Sequence, residues 1–168
     1  MASFSKALPL LALVASLGTG LMAGLFFAFS TFVMQGLSRL PPEQSLAAMQ
    51  HVNAAVTTPL FGLAFVGTAL VCLAVAFASF ANAFSSLPAG LFLAGALLYL
   101  GGVIGVTLAF NVPLNNALGS APAAQAAEYW PHYAAAWLGW NHVRTVLGSA
   151  ALICFVWGLF ALGERRAG

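Results

Sequence analysis

The sequence predicts an all-α integral membrane protein, an up-down bundle of four helices that extend beyond the bilayer on one side. Composition is the first observation: 62% of the 168 residues are hydrophobic and only 5% are charged, whereas soluble domains carry about 25% charged residues. The second is that the apolar residues form four long segments, separated by prolines and serines. In lipid, a segment must satisfy its own backbone hydrogen bonds, and segments of this length do so as helices.

The same numbers exclude other classes of protein. A water-soluble globular domain needs more charged residues, and a disordered chain has far fewer apolar ones. Five Lys and Arg residues against three Asp and Glu give a net charge of +2 without a basic stripe, so no nucleic-acid partner is expected. The length fits one domain over residues 1–168. Its expected partner is the lipid bilayer, and the sequence carries no signal for an oligomeric state.

The first helix is expected over about residues 7–37. Its apolar run begins like the core of a signal peptide, but it continues to Leu37 and no A-x-A cleavage site closes it. We therefore interpret it as a retained membrane helix. Pro41 and Pro42 separate it from the second helix.

Prolines and serines bound the other three predicted helices. Ser85, Ser86 and Pro88 mark the start of the third helix, and Pro113 is expected to end it. An alanine-rich connector is expected over residues 111–132. The expected bounds are 46–84 for the second helix, 87–110 for the third and 133–162 for the fourth.

The few charges predict the topology. An even number of helices puts both termini on one side, which carries Lys6, Arg165 and Arg166, whereas the other side carries Arg39 and two glutamates. The positive-inside rule therefore predicts that both termini are cytoplasmic, in a bacterial-type inner or plasma membrane. Five aromatic residues then form a belt at the outer interface: Tyr129, Trp130, Tyr133, Trp137 and Trp140.

Polar residues collect at the outer end of the predicted bundle. A bilayer core of about 30 Å needs about 20 helical residues, so the first, second and fourth helices should project past it on that side. The inner halves of the helices consist almost entirely of Ala, Leu, Val, Phe and Gly. The polar residues at or beyond the outer boundary are Gln35, Gln50, His51, Asn53, Thr57, Asn111, Asn115, Asn116, Asn141, His142 and Arg144.

Spacing places several of these side chains on shared helix faces. The sets with spacings of three and four are Gln50, Asn53 and Thr57 on the second helix, and Trp137, Asn141 and Arg144 on the fourth. Arg144 is a permanent cation with no acidic residue placed to neutralise it within the helices. Its expected partners are amide oxygens, backbone carbonyls or an anionic ligand. The alternative is that the polar end simply meets water and lipid headgroups.

The histidines carry a weaker signal. His142 lies roughly 200° around the fourth helix from Arg144, so both cannot point straight into one pocket. His51 and His142 leave a haem or metal site open, but no HxxxH or HxxE pattern supports ligation, and no metal site is predicted. No GxSxG motif, phosphate-binding loop or pair of carboxylates indicates hydrolysis or phosphoryl transfer.

Four stretches of the sequence resemble a known family. They read GLFFAFSTFVMQG (24–36), LPPEQSLAAMQHVNA (40–54), NVPLNNAL (111–118) and WLGWNHVRT (137–145). Together they are similar to the anthrone oxygenase-like family of small four-helix membrane proteins. In this sequence Gln35 stands where proline is expected, and His51 stands where a small polar residue is more usual.

The resemblance implies an oxygenase that oxidises an anthrone to an anthraquinone without flavin, haem or metal, so no cofactor is expected. His142 is the expected base, with water, His51 or an already ionised substrate as alternatives. Arg144, Asn111 and Asn141 are expected to stabilise the developing oxyanion. Position and spacing give the residues expected to contact a small aromatic or apolar substrate: Gln50, Asn53, Thr57, Asn115, Trp137 and Trp140.

Two other functions stay open from the sequence. One is a non-catalytic membrane protein that binds or moves a small apolar or anionic ligand through the polar end. The other is a haem or metal redox protein that uses His51 and His142. The oxygenase interpretation requires that the amides and the guanidinium come together in one enclosed space.

Overall fold

The computed structural model describes residues 2–83 and 85–167, with side chains from residue 7 to residue 165 within those ranges. In this part of the chain the backbone forms five helices and no strand. Helix α1 consists of Ala2–Ala28, a π-helical turn at Phe29–Val33 and Met34–Leu37. The other helices are α2 (Pro42–Ala55), α3 (Pro59–Phe80), α4 (Leu87–Gly119) and α5 (Ala126–Ala167), and a 3-10 turn at Ala123–Gln125 precedes α5.

Four of these helices, α1, α3, α4 and α5, are long and apolar enough to cross a membrane. The predicted all-α four-helix membrane bundle is confirmed. α3 has 22 residues, or about 33 Å, which matches one crossing of a bilayer core of about 30 Å. α5 has 42 residues, or about 63 Å. α1 and α4 are also longer than one crossing, so these three helices project past the end of α3.

Successive membrane helices are antiparallel and form a closed ring. α1 packs against α3 and α5, and α4 packs against the same two helices. Gly102 of α4 lies against Leu147 of α5, whereas Phe92, earlier in α4, lies against Gly158, later in α5. The two described ends of the chain are therefore on one side of the bundle. The assignment of that side to the cytoplasm stays a prediction, and the side chains of Lys6 and Arg166 lie outside the described residues.

The bundle contains two hydrophobic cores, stacked along its axis. The inner core is formed by α1, α3, α4 and α5, and its buried residues are Ala12, Ala15, Met22, Phe26, Cys72, Val75, Phe92, Ala96, Tyr99, Val103, Ala151 and Phe155. The outer core is formed by α2 and the projecting ends of α1, α4 and α5, and its buried residues are Met34, Leu46, Met49, Leu118, Ala126, Trp130, Tyr133 and Trp137. The short helix α2 thus covers the outer end of the bundle.

The prediction of one continuous second helix is wrong. Where a continuous helix was expected over residues 46–84, the structure has α2, a break at residues 56–58 and α3. Pro59 causes the break, because proline disfavours a helical conformation in the residue before it, and Thr58 is extended with ψ of 149°. The Thr58 hydroxyl then accepts a hydrogen bond from the backbone N–H of Phe61 at 3.3 Å and caps α3. α3 ends at Phe80, and Phe84 lies outside the described residues.

The predicted connector over residues 111–132 is also wrong for most of its length. α4 continues through Pro113 to Gly119, since a π-helical segment at Thr107–Asn111 adjusts the backbone directly before the proline. α5 begins at Ala126 instead of residue 133, with Pro131 inside it. Burial of Ala126 and Trp130 in the outer core stabilises these first turns despite the missing N–H.

Candidate functional site

A layer of polar side chains lies between the two hydrophobic cores. α1 contributes a serine, α4 contributes a threonine and an asparagine, and α5 contributes an asparagine, an arginine and a threonine. We call this set the polar layer: Ser30, Thr107, Asn111, Asn141, Arg144 and Thr145. Its three large members, Asn111, Asn141 and Arg144, are at most 5% exposed. The structure therefore brings together, from two helices, three of the four residues predicted to be catalytic.

Arg144 is the centre of the polar layer. Its Nη2 donates to Oδ1 of Asn141 at 2.8 Å, and its Nη1 donates to Oγ1 of Thr107 at 3.2 Å. The guanidinium carbon lies 4.3 Å from the ring centroid of Phe26 and 5.2 Å from that of Trp137. All of these neighbours are neutral. The three acidic residues of the chain stand at helix ends, at the starts of α2 and α5 and at the end of α5: Glu43, Glu128 and Glu164.

Asn141 joins α5 to α1. Its Nδ2 donates both to the backbone carbonyl of Phe26 and to Oγ of Ser30, each at 2.8 Å. The hydroxyls of Ser30 and Thr145 share a hydrogen bond at 3.0 Å. Because both amide hydrogens of Asn141 are used and its oxygen accepts from Arg144, this residue holds the guanidinium in place and has no spare donor for a substrate oxyanion.

Asn111 contacts Trp137, whose ring lies next to the Arg144 guanidinium. Nδ2 of Asn111 donates to the backbone carbonyl of Trp137 at 3.3 Å. Among the described residues, no hydrogen-bond partner is found for Oδ1 of Asn111, Nε1 of Trp137 or Nε of Arg144, although all three atoms are buried. An unpaired buried polar group costs about 1–3 kcal/mol. Two of these atoms are N–H donors, one on the guanidinium and one on the indole ring next to it, so hydrogen-bonding capacity at the layer is unused.

The predicted residues Gln50, Asn53 and Asn115 lie farther out, in the outer core. Nε2 of Gln50 donates to the carbonyl of Leu118 at 2.9 Å and ties α2 to the end of α4. The Tyr133 hydroxyl donates to Oδ1 of Asn115 at 3.1 Å. Nδ2 of Asn53 is buried, and no described residue accepts a hydrogen bond from it. These side chains connect α2 and α5 to the end of α4. Tyr133 lies about three helical turns before Arg144 on α5.

Three predicted residues point away from the polar layer. His142 is exposed on α5, while Arg144 two residues later is buried. His51 and Thr57 are exposed as well, and the Thr57 hydroxyl donates to the carbonyl of Ala54 at 2.7 Å. No group of three or more His, Cys, Asp or Glu side chains that could hold a metal ion occurs within residues 7–83 and 85–165.

The aromatic side chains divide into a buried and a surface pair. Trp137 is buried at the guanidinium and packs against Phe29 with ring centroids 5.5 Å apart and planes tilted by 54°. Trp140 is half-buried and stacks on Phe110, with centroids 3.5 Å apart and planes within 7°. Sequence reasoning missed Phe110 and also Phe26. A usable signal existed for the missed hydroxyl of Thr107, which precedes Asn111 by one helical turn and so shares its face.

Two surface depressions lie away from the polar layer. One, of about 330 Å³, is lined by Gln125, Glu128, Tyr129 and His132 at the outer end of the bundle. The other, of about 340 Å³, lies between α1 and α3 beside Gly18 and Thr68. At Arg144 itself, the rings of Phe26 and Trp137 occupy the space next to the guanidinium. The polar side chains of the layer thus contact one another, and aromatic rings fill the space beside the guanidinium.

The model of a family described as anthrone oxygenase matches residues 58–154, which is more than half of the chain. The chain belongs to the anthrone oxygenase family. The matched residues cover α3, α4 and the part of α5 that carries Asn141 and Arg144, and they include the stretches NVPLNNAL and WLGWNHVRT. The suspected family is confirmed. No curated protein and no solved structure matches the chain.

In this member of the anthrone oxygenase family, the matched residues include most of the polar layer. All the polar-layer residues of α4 and α5 fall inside the matched range, as do Phe110, Trp137 and Trp140. α1 and α2 fall outside it, although α1 contributes Ser30 and the carbonyl of Phe26 to the polar layer. The matched part of the chain therefore supplies Arg144, Asn111 and Asn141, and α1 supplies the groups to which Asn141 donates.

Proposed function

We propose that this protein is a membrane oxygenase that binds an anthrone-type or other electron-rich aromatic substrate as its conjugate base and lets that anion react with O2 without a cofactor. The observation that carries the proposal is the buried guanidinium of Arg144, surrounded by neutral groups and accompanied by unpaired N–H donors. A site of this kind favours a ligand with a negatively charged oxygen.

Charge supports this choice of ligand. Ionisable residues within membrane helices are rare, and they are usually paired with one another or line a functional path. The unpaired atoms at the layer are two donors, Nε of Arg144 and Nε1 of Trp137, and one acceptor, Oδ1 of Asn111. A phenolate or enolate oxygen would satisfy both donors and the positive charge together.

The chemistry requires little more than this stabilisation. An anthrone has an acidic CH2 opposite its carbonyl, so loss of one proton leaves an aromatic ring system with the charge on the oxygen. That anion transfers one electron to O2, and the resulting carbon radical and superoxide combine to form a C–O bond. The protonated hydroperoxide then loses its remaining C–H proton, and the O–O bond breaks with departure of hydroxide, so that the proton and the hydroxide together form one water. One anthrone and one O2 give one anthraquinone and one water.

The chain's own residues have distinct roles in this scheme. Arg144 and the indole N–H of Trp137 hold the anthrone oxygen as negative charge develops on it. Asn141 is a positioning residue, because it fixes the guanidinium through Oδ1. His142 is exposed, so the proton passes to water, for which Oδ1 of Asn111 is an acceptor at the layer. The bilayer supplies an apolar substrate to this depth.

The test uses the full chain in lipid nanodiscs with 1,8-dihydroxyanthrone. O2 uptake and quinone absorbance are followed together and corrected for spontaneous oxidation without protein. We expect a stoichiometry of one O2 per quinone, and a loss of at least about 100-fold in Arg144→Met. Arg165→Met, in the last turn of α5, is the matched control and should keep the wild-type rate.

Two results would contradict the proposal. Wild-type rates in a folded Arg144→Met variant would remove the guanidinium from the reaction. Saturable binding of the anthrone without O2 uptake would instead indicate a non-catalytic protein that binds or moves such ligands.

A further inference from the structure

The stacked pair of Phe110 and Trp140 has an unusual geometry and position. The two ring centroids are only 3.5 Å apart and the planes deviate by 7°, whereas aromatic pairs in proteins favour offset or edge-to-face arrangements at 4.5–7 Å. Phe110 is 38% exposed. Among the described residues, neither ring belongs to the inner or the outer core. The exposed Phe110 and the half-buried Trp140 therefore meet at the surface of the bundle.

The pair covers the seam between α4 and α5 directly outside the guanidinium. Phe110 follows Thr107 by three residues on α4, and Trp140 precedes Arg144 by four residues on α5. On α5, helical periodicity puts the ring of Trp140 on the same side of the helix as Arg144, one turn farther out, and the stacking contact brings Phe110 of α4 to that position. Since Thr107 and Arg144 are hydrogen-bonded across the seam, the rings stand next to this contact. Phe110 also belongs to the π-helical segment Thr107–Asn111, a kind of irregularity that is frequent at functional sites.

We propose that Phe110 and Trp140 form a lateral gate through which a flat polycyclic aromatic ligand passes from the membrane, between α4 and α5, to Arg144. The proposal rests on the proposed function for the destination of the ligand. The two stacked rings are in face-to-face contact. A planar aromatic ligand offers the same π-face, so it can take the place of one ring against the other. A bulky non-planar molecule has no equivalent way through.

The route agrees with the rest of the bundle. On the outer side, α2 and the outer core cover the polar layer with Met34, Met49 and Trp130. On the inner side lie Phe92, Tyr99 and their neighbours in the inner core. The α1–α5 side is joined by the hydrogen bonds of Asn141 to Phe26 and Ser30. The α4–α5 seam has instead a pair of exposed rings whose side chains can rotate without breaking a hydrogen bond.

The experiment measures exchange rates of a ligand that cannot be oxidised. The full chain in lipid nanodiscs is mixed with 1,8-dihydroxyanthraquinone, and quenching of tryptophan fluorescence is followed by stopped flow. In Phe110→Ala we expect the association and dissociation rates each to rise by at least about fivefold, while Kd changes by less than about threefold, because a gate changes the barrier and not the bound state. Phe110→Trp should slow both rates.

A matched control and a second variant keep the result decisive. Phe160→Ala removes a lipid-facing phenylalanine that is 66% exposed on α5 and should leave both rates unchanged. Where Phe110→Ala does not fold, as judged by circular dichroism, Phe110→Leu removes the stack and retains apolar volume. Wild-type exchange rates in a folded Phe110 variant would overturn the gate. So would a weaker Kd with an unchanged association rate, since Phe110 would then be a binding contact, and so would a lack of saturable binding by the wild-type protein.

Failure of the gate and failure of the proposed function are separable. Faster exchange in Phe110→Ala without oxidation of 1,8-dihydroxyanthrone by the wild type would leave the gate in place on a binding protein. Oxidation that depends on Arg144, combined with unchanged exchange in the Phe110 variants, would retain the oxygenase and reject the gate.

Discussion

Asn141 and Arg144 lie one turn apart on α5, and Oδ1 of Asn141 accepts a hydrogen bond from Nη2 of Arg144 at 2.8 Å. The same asparagine donates to the carbonyl of Phe26 and to Ser30 on α1. A neutral amide thus fixes the direction of the guanidinium without cancelling its charge. An aspartate in that place would also hold the arginine, but as an ion pair.

The first prediction uses that difference. Asn141→Asp should weaken binding of 1,8-dihydroxyanthraquinone at a pH where the ligand is ionised by at least about tenfold, because the new carboxylate neutralises the cation and repels the anion. Binding is measured by tryptophan quenching, and thermal unfolding serves as the folding control. An unchanged affinity in a folded variant would mean that the charge of Arg144 does not attract the ligand.

The second prediction concerns the unpaired indole N–H of Trp137. Trp137→Phe keeps an aromatic ring at the guanidinium and removes a donor that has no partner among the described residues. A hydrogen bond to a charged group contributes about 1.5–3 kcal/mol, so binding of the ionised quinone should weaken by about 10–100-fold. The matched control is Trp130→Phe, which removes another buried, unpaired indole N–H, about two helical turns before Trp137 on α5. Equal losses in both variants would indicate a general packing effect.

The third prediction concerns His142. Removal of a general base lowers turnover by about 10²–10⁴-fold, but the exposed position of His142 predicts that His142→Ala keeps the wild-type rate of 1,8-dihydroxyanthrone oxidation within about threefold. The measurement is the pH profile of quinone formation. Loss of an ionisation from that profile, together with a large drop in rate, would return His142 to the role of base.

The fourth prediction tests the contact between α4 and α5. A Cβ on Gly102 would lie 2.6 Å from the Cβ of Leu147, whereas a Cβ on the adjacent Gly101 would meet nothing within 4 Å. Gly102→Ala should therefore lower the free energy of unfolding by about 1–3 kcal/mol through overpacking. Gly101→Ala should be neutral or stabilise by up to about 1 kcal/mol, since alanine favours helix over glycine. Thermal unfolding in a mild detergent compares the two, and equal Tm values would contradict the close packing.

The fold could be predicted from composition because the charge content of 5% leaves lipid as the only suitable solvent. The bounds of the helices were harder to predict. Pro59 was taken to lie inside a long apolar run, yet it breaks that run, whereas Pro113 was expected to end α4 and does not. The difference depends on local backbone geometry: an extended Thr58 before one proline, and a π-helical segment before the other. A hydropathy profile shows neither of these two backbone features.

The candidate site could be predicted only where one helix carries the pattern. Trp137, Asn141 and Arg144 share a face of α5, and that periodicity is visible in the sequence. Phe26 and Ser30 were missed, because their roles depend on which helices become neighbours and at what height, whereas Thr107 shares a helix face with Asn111 and could have been found. Gln50 and Asn53 share a face as expected, but α2 places that face against the outer core. Periodicity predicts a face, and the packing of the bundle decides what the face meets.

α2 and the outer core cover the polar layer at one end of the bundle. This cover affects which molecules can reach the layer. By the proposed route, a molecule in the membrane reaches Arg144 past Phe110 and Trp140, whereas a molecule in water meets the buried methionine and tryptophan side chains of the outer core. Apparent affinity should therefore follow the lipid–water partition coefficient of a compound as closely as its shape. Across a series of equally acidic anthrones, the proposed oxygenase would oxidise the most lipophilic one fastest.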